Sequence, residues 1–237
     1  MKPIYEPKGR AKEYGDMALN IYTGCPHRCY YCFAPDVLRK AKEEFHSHVE
    51  PRKDIVEAVK RQLETEHITD KLIHLCFTCD PYPIGHDTTP TREIIKAIKG
   101  SGNHVQILTK GSMGAESDFD LLDSNDWFGV TISCNTQFAK IHEPNACSPF
   151  VRLLMLDKAK DKGIKTWVSC EPVLEVEAIY KLITESGDTI DRYKIGKLNH
   201  YPSDINWGEF GRECERLCKE YGRNYYIKED LRKEMGE

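Results

Sequence analysis

Short apolar, β-branched runs alternate along the chain with longer stretches whose apolar residues recur every three or four positions. The runs at 18–22, 72–77, 105–109, 129–133, 166–169 and 193–195 predict strands. The longer stretches at 54–65, 91–99, 118–123, 149–162, 175–185 and 206–221 predict helices, with Ile55, Val59 and Leu63 on one face and Ile94, Ile95 and Ile98 on another. Pro90 and Pro149 sit where a first helical turn begins, and Gly163 follows a helix ending near Lys162. Six strand–helix units in strict alternation predict an α/β fold with a parallel sheet and right-handed crossovers. Eight such units close a full barrel, so six predict a partial, open six-stranded (β/α)6 TIM-like barrel. With no repeat or long linker, the 237 residues read as a single domain, 1–237, with its core at about 17–200 and a C-terminal helix and tail at 206–237.

In such folds chemistry sits beyond the C-terminal ends of the strands. The residues there are polar or reactive: Cys25 after the first strand, Thr78, Cys79 and Asp80 after the second, and Lys110 after the third. Ser133 and Asn135 follow the fourth, Glu171 the fifth, and Lys197 and Asn199 the sixth. A purely structural protein has no reason to line one rim this way.

Composition narrows the setting. Hydrophobic residues make up 40% and charged residues 30%, ordinary for a globular chain, and the net charge of −4 argues against a strongly basic nucleic-acid coat. No apolar run reaches the roughly 18 residues of a membrane span, and residues 1–15 lack the apolar stretch of a secretory signal. Ten cysteines without a secretory signal fit a reducing cytoplasm. Cys134, Cys147, Cys214 and Cys218 read as small packing thiols.

Three cysteines crowd into Thr23-Gly-Cys-Pro-His-Arg-Cys-Tyr-Tyr-Cys-Phe, the spacing C-x3-C-x2-C at Cys25, Cys29 and Cys32. Three thiolates on a tight loop suit three irons of a cubane cluster and leave the fourth iron open. Gly24 suits a sharp turn as the chain leaves the strand. Two other readings stand beside this one. A structural zinc site would take His27 as fourth ligand, but lacks the usual paired spacing. An electron carrier would want C-x2-C-x2-C and a fourth cysteine.

The cysteine loop directly after the first strand, with Tyr31 before the last cysteine, resembles the radical S-adenosylmethionine (SAM) superfamily. The resemblance implies a [4Fe–4S] cluster on Cys25, Cys29 and Cys32, SAM on the open iron, reductive SAM cleavage and hydrogen abstraction by a 5′-deoxyadenosyl radical. It also implies an external electron donor such as flavodoxin or ferredoxin. Four further segments resemble the spore photoproduct lyase-like branch and its small phage-borne relatives: Phe77-Thr-Cys-Asp-Pro-Tyr-Pro with Thr91-Arg-Glu, Leu108-Thr-Lys, Glu143-Pro-Asn-Ala-Cys-Ser-Pro, and Val168-Ser-Cys-Glu-Pro-Val. By this resemblance Lys110 meets the SAM carboxylate and Asp80, beside Thr78, faces its amino group. Tyr31 touches the adenine, Ser133 the methionyl end or ribose, and Glu171 the ribose or substrate. The substrate implied is nucleic acid or a nucleotide, with a peptide side chain or a non-catalytic iron–sulfur module as alternatives.

One departure matters. The lyase returns a hydrogen atom from a cysteine on its second strand, and here that position is Phe77. Cys76 and Cys79 are the candidate donors nearby, with packing as the plainer role; strand alternation puts them on opposite faces. The lysines at 158, 160, 162 and 165 read as a solvated helix face rather than a nucleic-acid track. Tyr82, Trp207, Tyr225 and Tyr226 suit either base stacking or core.

Overall fold

In the computed structural model, which describes residues 2–237, one sheet carries seven parallel strands in sequence order. They are β1 (Met17–Leu19), β2 (Leu72–Leu75), β3 (His104–Thr109), β4 (Trp127–Thr131), β5 (Lys165–Cys170), β6 (Arg192–Ile195) and β7 (Tyr225–Ile227). β1 and β7 form the two edges, so the sheet is an open half-barrel, a partial TIM-like fold. The expected six strands become seven. β7 has three residues, too few for a hydrophobic run of its own, and is held by pairing Tyr193 with Tyr225, Lys194 with Tyr226 and Ile195 with Ile227.

The helices are α1 (Ala34–Leu38), α2 (Lys42–Ser47), α3 (Ile55–Thr65), α4 (Thr89–Gly100), α5 (Ser112–Ala115), α6 (Thr136–His142), α7 (Pro149–Asp161), α8 (Val176–Glu185), α9 (Trp207–Glu220) and α10 (Glu229–Met235). Two 3-10 turns span Gly9–Glu13 and Glu116–Leu121. The second replaces the helix expected at 118–123, because Asp118 is buried and tied to Arg92 at 2.8 Å and to the Tyr82 hydroxyl at 3.1 Å. Asn135, Ser148 and Asn206 cap α6, α7 and α9 through their side-chain oxygens.

The strand register separates two faces. Ile73, Val105, Ile107, Phe128, Val130, Val168 and Ile195 lie fully buried against Val59, Ile94, Ile95, Ile98, Leu156 and Ile183 of the surrounding helices. Burying each such side chain contributes about 1.5–3 kcal/mol, which fixes the helices on the outside. The opposite face carries His74, Gln106, Trp167, Ser169 and Lys194, all buried. A polar inner face needs internal partners. Some come from the N-terminal segment: the Tyr14 carbonyl accepts Gln106 Nε2 at 2.7 Å and Lys194 Nζ at 3.2 Å.

Candidate functional site

Beyond the C-terminal ends of the strands lies a cavity of about 490 Å³. Cys25, Cys29 and Cys32 line it, together with Tyr31, Thr78, Cys79, Asp80, Lys110 and Glu171. α2 braces the cysteine loop: the Cys25 N–H donates to the Phe45 carbonyl at 3.2 Å, and His46 Nδ1 lies 2.8 Å from the Cys25 carbonyl oxygen. A Cβ on Gly24 would stand 2.2 Å from the Phe45 oxygen and 2.6 Å from that of His48. Close approach of α2, rather than a turn, is what demands glycine there. Arg28, at a left-handed φ of 53°, makes a two-pronged contact with Glu43 of α2 at 2.9 and 2.6 Å.

Burial pushes the Cys29 thiol up to about 12, against the opposing pull of Lys110, and raises Cys25 and Cys32 as well. Loading a metal therefore means displacing protons from all three. A tetrahedral zinc needs sulfurs about 3.8 Å apart. Among the described residues, the only trio of metal-ligand side chains with donor atoms within 4.8 Å of one another is His104, Asp123 and Asp126, and Lys99 is already paired with both aspartates. A cubane takes three such loop thiols on three different irons. His27 is occupied elsewhere: its Nδ1 faces Asp80 at 3.5 Å and its Nε2 accepts the Ile84 N–H at 3.4 Å. Burial lowers its pKa, against the opposing pull of Asp80. Three thiols on one loop are a donor set a cubane cluster can take, and His27 has other partners than a metal.

The facing rim combines satisfied and unsatisfied groups. Asp80 accepts Thr109 Oγ1 at 2.5 Å, the Lys110 N–H at 2.8 Å and the Tyr82 N–H at 2.9 Å, so its carboxylate ties the loops after β2 and β3 together. Thr78 Oγ1 is buried without a partner among the described residues, and the residue lines the cavity. The Lys110 ammonium lies 5.3 Å from the centre of the Tyr31 ring and makes no ion pair among the described residues. Tyr31 donates to Glu143, and Ser133 lies 3.1 Å from the same hydroxyl. Ser133 is fully buried behind Tyr31 and is not part of the cavity wall. Glu143 in turn pairs with Arg152, both without exposed side-chain surface. Burial raises the Glu143 pKa, but Arg152, Lys110 and the hydrogen bonds outweigh it and the net direction is down.

A family model of the radical SAM superfamily matches residues 19–192. The chain belongs to the radical SAM superfamily. That superfamily is characterised by reductive cleavage of SAM with a [4Fe–4S] cluster and the radical chemistry that follows. An uncharacterised protein of Acidianus two-tailed virus is 28% identical over 200 residues, which cover 78% of this chain and 65% of the viral one, so the chain spans less than two thirds of that relative. A spore photoproduct lyase variant with bound AdoMet and dinucleoside spore photoproduct superposes with a TM-score of 0.70 at 15% identity, covering 94% of this chain and 78% of the lyase. SuiB of Streptococcus suis, bound to precursor peptide SuiA, superposes at 0.60 and 15% identity, covering 89% of this chain and 48% of SuiB. The radical SAM fold is therefore the lyase-like one.

The β5–β7 side of this radical SAM cavity is built differently. Glu171 accepts the Tyr14 hydroxyl at 2.8 Å, contacts Asn199 Nδ2 at 3.4 Å and pairs with Lys228. Lys228 also lies 3.5 Å from Glu13 and 4.5 Å from the Tyr14 ring centre. Tyr14 packs edge-on to Phe77 and Trp167 at 5.6 and 6.0 Å. Sequence reasoning missed Tyr14 and Lys228; an aromatic in the charged N-terminal segment was the only signal. Asn135 serves as the α6 cap, and Lys197 pairs with Glu234. Lys158 and Lys160 pair with Glu116 and Asp191, so they form no free cationic track. Tyr82 is core, while Tyr225 and Tyr226 bond Glu215 and Glu13.

Proposed function

We propose that this cavity is the active site of a radical SAM enzyme in which Cys25, Cys29 and Cys32 hold the [4Fe–4S] cluster. The observation that carries the reading is a trio of thiols on one loop lining the same cavity as Lys110, whose ammonium makes no ion pair among the described residues, and Thr78, whose buried hydroxyl has no hydrogen-bond partner among them. With cluster and SAM bound, the chemistry supplied is one-electron cleavage of SAM and hydrogen abstraction from substrate. Lys110 binds the SAM carboxylate through a charge-assisted contact and Thr78 donates its hydroxyl to a polar atom of the same ligand. Tyr31 offers its ring face, its hydroxyl being fixed by Glu143 and Ser133. Asp80 positions the Lys110 loop rather than binding ligand. Glu171 orients the substrate end of the cavity through Tyr14 and Lys228.

The substrate class we favour is a nucleotide or nucleic acid. Lys8, Arg10 and Lys197 line the cavity, the last two paired with Asp230 and Glu234, and a phosphate could draw on these basic side chains. The spore photoproduct lyase fold, shared with an enzyme seen with a dinucleoside, supports the same reading by analogy. A peptide is the second reading, favoured by the exposed Phe33 and Val37 at the mouth. All ten cysteines are free, which suits a reducing cytoplasm and a one-electron donor such as flavodoxin or ferredoxin. The test is anaerobic reconstitution, reduction with dithionite and chromatography for 5′-deoxyadenosine, with DNA, RNA and peptide pools in D2O. Deuterium in a nucleic-acid product supports the favoured class, and deuterium only in peptide replaces it. No 5′-deoxyadenosine under any condition reduces the protein to a non-catalytic iron–sulfur module.

A further inference from the structure

The segment Glu143-Pro-Asn-Ala-Cys-Ser-Pro takes no part in the cavity wall, yet it is fastened to both sides of it. It leaves α6 and leads into α7. The His142 carbonyl just before it accepts the Tyr30 N–H at 2.8 Å. The Asn145 N–H donates to the His27 carbonyl at 3.3 Å, and Asn145 Nδ2 to that of Pro26 at 3.0 Å. Two residues on, the Cys147 N–H donates to the Lys110 carbonyl at 2.9 Å. One short bracket therefore ties the cysteine loop to the loop after β3.

At the head of the bracket Glu143 joins two buried groups. One carboxylate oxygen accepts the Tyr31 hydroxyl and the other the Arg152 guanidinium of α7. Arg152 also donates to the Thr131 carbonyl at 2.9 Å, so the end of β4 holds the pair in place. A buried pair of this kind is a weak source of stability, because desolvation offsets most of the attraction and apolar residues of similar volume serve as well. Arg152 Nε, moreover, is buried with no partner among the described residues. What the pair supplies is orientation. It holds the Tyr31 hydroxyl at one point, and the Lys110 ammonium rests over the ring of that tyrosine. Ser133 lies 3.1 Å from the same hydroxyl, but a carboxylate is the stronger acceptor. Tyr31 and Lys110 both line the cavity.

We propose that Glu143 is a positioning residue for SAM: it fixes the Tyr31 ring, and through the ring the Lys110 ammonium, in the arrangement that receives the ligand. Arg152 holds the carboxylate in place for that task. The proposal rests on the reading of the cavity as a SAM site. Glu143 touches no ligand itself and acts by preorganisation, so that ring and ammonium need not be ordered when the ligand arrives. Losing that order in one or two side chains should weaken binding about three- to tenfold.

The test is the SAM affinity of cluster-loaded protein, read by anaerobic equilibrium dialysis in variants that separate the hydrogen bond from the charge. Glu143→Gln with Arg152→Met removes both charges and keeps an amide oxygen for the Tyr31 hydroxyl. Glu143→Leu with Arg152→Met removes the charges and the acceptor alike. The first should bind SAM within about twofold of wild type and the second about three- to tenfold more weakly, at matching urea midpoints and iron contents. Tyr31→Phe keeps the ring, loses the hydroxyl and leaves the buried pair intact. It should match the second variant and add nothing when combined with it. Unchanged affinity in Tyr31→Phe overturns the positioning role, and this readout needs neither double variant to fold. Equal affinity in the two double variants overturns it as well, as does a Tyr31→Phe loss that adds in full to that of the second. A wild type that binds no SAM overturns the cavity reading and the proposal with it, whereas the other failures leave that reading standing.

Discussion

On the side of the cavity built by β2 and β3, the buried Thr78 hydroxyl has no hydrogen-bond partner among the described residues, and the Lys110 ammonium lies over the Tyr31 ring without an ion pair among them. On the side built by β5, β6 and β7, Glu171 is held at once by Tyr14 and Lys228, and Lys194 donates to the Glu13 and Tyr14 carbonyls. Both sides are polar and largely buried, so polarity alone does not separate binding from support. Unmet hydrogen-bonding demand does, because a buried polar atom without a partner costs about 1–3 kcal/mol unless a ligand satisfies it. The first side is built to receive something; the second is built to hold itself.

The sharpest way to break that contrast is Lys228→Met. Lys228 is 3% exposed, and its removal leaves Glu171 and Glu13 without their cation. Urea unfolding should show a loss of about 3–5 kcal/mol. A loss below 1 kcal/mol would place Lys228 with the ligand-facing groups instead.

Lys110→Ala should do the reverse, leaving the unfolding midpoint and iron content near wild type. SAM affinity, read by equilibrium dialysis, should fall by about 10- to 150-fold, the worth of one charged hydrogen bond at 1.5–3 kcal/mol. Unchanged affinity returns Lys110 to the solvated class.

The smallest effect concerns His74 on the inner face, fully buried and depressed to about 3 by burial and by the Lys194 charge. Its folded pKa lies below the unfolded value near 6.5, so the unfolded chain binds the extra proton between these values. Its contribution to stability is complete above about 6.5 and is lost as pH falls toward about 3. From pH 7 to 5.5 this group should cost about 1 kcal/mol, and His74→Gln should flatten the decline by that amount. An identical pH slope in wild type and variant would mean that His74 charges freely in the folded protein.

Much of this was legible in the sequence because it is local. Strand and helix alternation follows from apolar faces such as Ile55, Val59 and Leu63, and the cysteine loop announces itself in eight consecutive positions, 25–32. What stayed hidden is non-local. β7 is three residues long and exists through its pairing with β6. Tyr14 and Lys228 lie 214 positions apart and meet only because the N-terminal segment crosses the barrel interior. Ser133 follows its strand as a rim residue should, yet it is fully buried against the Tyr31 hydroxyl and does not line the cavity. The strand expected to run to Phe77 stops at Leu75 because Cys76 is left-handed, and a left-handed residue that is not glycine leaves no mark in sequence.

The account's central claim is that the cavity's three thiols carry a cluster with a position open to SAM. Electron paramagnetic resonance of reconstituted, dithionite-reduced protein tests it most directly. The account predicts a reduced [4Fe–4S] signal whose shape changes when SAM is added, and no such signal once Cys25, Cys29 and Cys32 are all replaced by alanine. A signal that survives the triple replacement, or one that SAM leaves untouched in the wild type, would contradict it.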